Sequence, residues 1–129
     1  MPRPAAIPAF ALAAALLLPA GGQAQNALDR SPQPGDRHVT NGYCLAPEVH
    51  DRLIETLLND GEHAAMRAYG EAKTMGACRS RRVQATYLKR TYRFPWPGRP
   101  AFAGEQWLIR LNDSDKTAHI LIMVRDAEG

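Results

Sequence analysis

In the middle of the chain the apolar residues recur at helical spacing. Val49, Leu53, Ile54, Leu57 and Leu58 make one stripe, and Glu48, Asp51, Arg52, Glu55 and Thr56 take the other side. The spacing predicts a helix from Pro47 to Asn59. Pro47 suits its first position, where a missing amide hydrogen costs nothing. Gly61, in Asp60-Gly61, supplies the left-handed backbone that ends it. Ala64, Ala65, Ala68, Tyr69, Ala72 and Met75 repeat the pattern over a second helix, Glu62 to Met75. Its alanines permit close approach to the leucine-rich first helix. Gly70 inside it costs up to about 1 kcal/mol relative to alanine, and Gly76 is a natural stop.

After Cys78 the period drops to two. Val83 to Tyr87 alternates, and the run can continue to Phe94, which predicts a strand. Pro95, Pro97 and Pro100 break it, because proline supplies no amide hydrogen to a sheet ladder. Glu105 to Asn112 is a second strand with Trp107, Ile109 and Leu111 on one face. Lys116 to Val124 is a third, with Ala118, Ile120, Ile122 and Val124 on one face. The turn Asn112-Asp113-Ser114-Asp115 joins these two as a hairpin. The expected fold is α+β: a helical hairpin followed by a small three-stranded antiparallel sheet, too few strands for a closed barrel.

The N-terminus is expected to be removed. Arg3 precedes an apolar run from Ala5 to Leu18, and Gly22 and Ala24 stand at small-residue positions before a cleavage point after Ala24. Residues 1–24 therefore read as a signal peptide, and the run is short of the ~20 residues a membrane helix needs. Residues 25–40, with Pro32, Pro34 and few apolar side chains, read as a flexible leader. Residues 41–126 read as one small domain in the periplasm or outside the cell.

The chain has 2 cysteines, Cys44 and Cys78, one on each side of the predicted helical pair. In an oxidising compartment they predict a disulfide that closes the hairpin at its open end. Closing a loop of this length stabilises by roughly 3–4 kcal/mol in the chain-entropy model. Two distant cysteines make a poor metal site, and they lack the Cys-x-x-Cys spacing of a redox pair.

The formal net charge is +3, and removing Arg3 leaves +2. The charge is uneven. Arg79, Arg81, Arg82, Lys89, Arg90, Arg93 and Arg99 occupy one stretch with no acid among them. Tyr87, Tyr92, Phe94, Trp96, Phe102 and Trp107 lie in or near that stretch. Trp96 is expected in a stiff, exposed loop between two prolines. Tryptophan and arginine dominate interface hot spots, so Arg90, Arg93, Trp96, Arg99 and Trp107 are the expected binding residues. Phe94, Phe102 and Trp107 fit equally well as caps over the edge of a small sheet.

Signals for catalysis are sparse. The 4 histidines, His38, His50, His63 and His119, show no metal-ligand spacing. No serine sits in a nucleophile elbow. Glu55, Glu62, Glu71 and Glu105 are available as carboxylates, but a solvated helix face explains the first three. No cofactor and no metal is expected. The reading is an exported, non-enzymatic binding protein: an inhibitor, an immunity-type protein or an accessory subunit of an envelope complex. Its expected partner is an envelope protein. The alternatives are a module binding peptidoglycan or another anionic envelope ligand, and a small hydrolase using His50 or His63. Export argues against a nucleic-acid partner.

Overall fold

The computed structural model describes residues 27–126; the expected signal peptide lies outside them. In chain order the elements are β1 (Arg37–Thr40), β2 (Tyr43–Cys44), α1 (Pro47–Asp60), α2 (Glu62–Thr74), β3 (Cys78–Arg79), β4 (Val83–Pro95), β5 (Phe102–Leu111) and β6 (Thr117–Arg125). Both helices form where the apolar stripes place them. Gly61 turns the chain between them with φ 94°, and its amide caps the Leu57 carbonyl at 3.1 Å.

The three-stranded sheet is incorrect. The strands form one six-stranded antiparallel sheet in the order β1-β4-β5-β6-β2-β3. The additional strands β2 and β3 are two residues each, too short to show a period, and they carry the cysteines. Cys44 stands directly opposite Cys78 in their ladder, and the two are disulfide-bonded. β1 lies in the stretch expected to be a flexible leader. Its partners Val83–Thr86 are more than 40 residues away, so nothing local announces it.

Leu28, Gly35 and Asp36 of the leader are also hydrogen-bonded to the sheet. The Leu28 amide donates to the Met123 carbonyl at 3.0 Å, and the Arg125 amide donates to the Leu28 carbonyl at 2.7 Å. Further on, the Gly35 amide donates to Tyr87 at 2.8 Å, and the Tyr87 amide donates to Asp36 at 2.9 Å. Residues 28–36 thus run from the end of β6 to the edge of β4 as a strap.

The topology forces a curl. β1 and β2 are separated by four strand spacings, roughly 19 Å in a flat sheet. Only Asn41 and Gly42 join them, and a link that short spans about 11 Å at most. The sheet must bend until these strands approach. One face closes on itself: Tyr43, Tyr87, Trp107, Ile109, Leu111, Ile120 and Val124, all from strands, make one buried cluster. The opposite face takes the helices. Ile54, Leu57 and Ala65 pack there against Phe94, Trp96, Leu121 and Met123, and Leu53 and Tyr69 pack around the disulfide.

Strand alternation decides which residue meets which layer. β4 shifts register between Tyr87 and Lys89 and again between Arg90 and Tyr92. These bulges set Arg90 opposite Trp107 and Arg93 opposite Glu105, while Tyr92 and Phe94 oppose Gln106 and Gly104. Gly104 is needed there because a Cβ would overlap the Phe94 ring, which stacks on Trp96 with centroids 6.0 Å apart. Gly104→Val is expected to lower stability by about 1–3 kcal/mol in urea unfolding through overpacking, with a red-shifted Trp96 emission. An unchanged midpoint would mean that Phe94 moves aside without cost.

Candidate functional site

The five residues expected to bind a partner fall into two groups, each centred on a carboxylate. The first carboxylate is Glu62, in the first turn of α2. Its Oε2 accepts from the Trp96 indole at 2.6 Å and from Arg99 Nε at 2.9 Å, and its Oε1 accepts from Arg99 Nη2 at 3.3 Å. A carboxylate at a helix N-terminus is favoured by the helix dipole. The Trp96 amide donates to Phe102 and the Arg99 amide to Trp96, so the proline loop is a tight turn. The expected exposure of Trp96 is therefore corrected: its residue is only 2% exposed. The indole serves as a strut between α2 and the β4–β5 turn.

The second carboxylate is Glu105 of β5, which is fully buried. Its Oε1 accepts from the Trp107 indole at 2.9 Å. Its Oε2 takes Arg93 Nε at 3.0 Å, Arg90 Nη1 at 3.3 Å and the Ser31 hydroxyl of the strap. Burial pushes this carboxyl up, but the hydrogen bonds from Ser31, Trp107 and Arg93 and the charge of Arg90 outweigh it, so it sits below the usual range. Arg90, Arg93 and Trp107 are thus gathered on one acid, on the face of the sheet away from the helices. Glu62 and Glu105, weighed in the sequence only as possible catalytic acids, are anchors for aromatic and basic side chains.

The helix face holds a different feature. Between α1 and β4 lies a groove of about 900 Å³, within the size range of ligand sites. Leu58 of α1 and Tyr92 of β4 line it and are 38% and 47% exposed. Gln106 and His119, from β5 and β6, lie between them. The Gln106 amide is fixed on both ends. Its Nε2 donates to His50 Nδ1 at 2.8 Å and to Asp51 Oδ1 at 2.9 Å, and its Oε1 accepts from Thr91 Oγ1 at 2.8 Å. His50 must present a bare Nδ1 to that donor. Burial pushes its pKa down to about 3, with His119 adding to the effect. The His119 ring lies 6.1 Å from it, and burial also lowers His119, against the opposing charges of Asp51 and Glu48.

His50 is tied to Gln106, while Glu62 is tied to Trp96 and Arg99. Among the described residues no cluster of three or more His, Cys, Asp or Glu side chains is placed to hold a metal ion. Sequence reasoning missed the groove. The α1 stripe points to Ile54 and Leu58, but nothing local says that Tyr92, Gln106 and His119 from three strands converge beside it. No protein-family model, curated protein or solved structure matches this chain.

Proposed function

We propose that the protein is an exported, non-enzymatic binding protein, an inhibitor or accessory subunit that meets an envelope protein at the α1–β4 groove. The observation that carries this reading is the groove itself, with Leu58 and Tyr92 offered to solvent beside an ordered polar floor. A concavity that sets exposed apolar and aromatic side chains among polar groups held in place is suited to binding. Export is supported by the Cys44–Cys78 bridge, since disulfides persist in oxidising compartments. No helix among the described residues is long and apolar enough to cross a membrane, which leaves β-barrels aside. Of the aromatic and basic stretch, Tyr92 is the aromatic side chain on the groove. The anionic-glycan reading has less behind it, because Arg90 and Arg93 are engaged with Glu105.

Affinity purification with the tagged chain tests the proposal. One stoichiometric envelope protein is expected, and Leu58→Asp with Tyr92→Ala is expected to lose it while circular dichroism and melting are unchanged. Recovery of the chain without a protein partner would defeat the reading. Full capture by the double variant would move the contact away from the groove.

A further inference from the structure

The groove carries a sign opposite to that of the chain. The chain is basic, at +3, yet α1 turns three carboxylates toward the groove, Glu48, Asp51 and Glu55. Their spacing of three and four residues sets them along one side of a helix. None of the three makes an ion pair among the described residues. Arg52 is the one cationic side chain in the lining. The guanidiniums that flank Tyr92 in sequence do not neutralise the groove, because Arg90 and Arg93 reach Glu105 on the other face of the sheet.

Asp51 is also set in position. Its Oδ1 is held by the Gln106 amide, which is itself held by Thr91. Among the described residues its Oδ2 has no hydrogen-bond partner. A fixed carboxylate beside an aromatic face suits a guanidinium or ammonium, through a charge-assisted hydrogen bond on one side and a cation–π contact on the other.

We infer that the groove takes an extended, basic segment of the partner protein, with an arginine or lysine on Asp51 and its apolar stem against Tyr92 and Leu58. This rests on the proposal that the groove is the contact surface. The lining runs along α1 from Pro47 to Asn59, about 18 Å of helix and longer than one side chain, which is why the occupant is a segment and not a free amine.

The test is a titration of the ¹⁵N-labelled chain with three blocked peptides, Leu-Arg-Leu, Leu-Lys-Leu and Leu-Glu-Leu, followed by amide shifts. The arginine and lysine peptides are expected to move Asp51, Thr91, Tyr92, Gln106 and His119, with affinity falling as salt is added. Asp51→Asn keeps an acceptor for Gln106 and so keeps the floor. It is expected to weaken the arginine peptide by roughly tenfold or more, the worth of one charged hydrogen bond. Asp60→Asn, outside the groove lining, is expected to leave affinity unchanged. Equal or tighter binding of the glutamate peptide at the same residues would overturn the inference. So would undiminished affinity in Asp51→Asn. Either result, with partner capture still lost in the Leu58→Asp, Tyr92→Ala variant, would leave the groove as a contact surface and remove only its basic occupant.

Discussion

Replacing Cys44 and Cys78 together with alanine is expected to lower the free energy of unfolding by roughly 3–4 kcal/mol. The bridge spans a sequence separation of 34, and that loop holds both helices. Without it the unfolded chain regains the freedom of the whole hairpin. The folded side loses as well. Both cysteines are almost fully buried, and Leu53 and Tyr69 pack around them. β2 and β3 pair over only two positions, so the ladder has little else to hold its register. Urea unfolding of the double variant and of the reduced wild-type chain checks this. A loss under about 1 kcal/mol in both would show that helix packing alone sets the closure.

Glu105→Ala is expected to cost about 2–3 kcal/mol. Removing one member of a buried charged cluster leaves the others without their partner, which is worse than never having buried the cluster. Arg90 and Arg93 are partly solvated and recover some of their loss in water. The Trp107 indole N–H is buried and recovers none. The second consequence is local. Ser31 loses its acceptor, so residues 28–36 are expected to exchange amide hydrogens faster and to be cut sooner by protease. Glu105→Gln keeps an acceptor but no charge, and it is expected to fall between. If Glu105→Ala unfolds at the wild-type midpoint with the strap still protected, the carboxylate is not what ties these elements together.

The helices were legible because each repeats its stripe over three turns or more. β5 and β6 were legible because apolar residues recur at every second position from Trp107 to Leu111 and from Ala118 to Val124. β2 and β3 were not, since two residues carry no period and their pairing follows from the bridge. β1 was hidden in a stretch with prolines and few apolar residues, where its pairing with β4 replaces what composition lacks. The anchors differ in the same way. Glu105 and Trp107 are two residues apart on one strand face, between apolar positions. An acid in that place, across from Arg90 and Arg93, was a readable sign of a buried ion cluster. The Glu62–Trp96 contact depends on how α2 docks, 34 residues away, and no local pattern contains it. Arg90, Arg93, Trp96, Arg99 and Trp107, which look like an open surface in one dimension, are each tied to one of two acids.

The position of β6 constrains how the molecule can be made. Among the described residues it is the last strand in chain order, yet it sits inside the sheet, between β5 and β2. Until it is present, β1, β4 and β5 form one fragment and β2 and β3 another, and no ladder joins them. Ile120, Ile122 and Val124 are missing from the enclosed cluster, and Leu121 and Met123 are missing from beneath the helices. Without Thr117–Arg125 neither cluster is therefore complete. The two fragments become one sheet only when Thr117–Arg125 pairs with β5 on one side and β2 on the other.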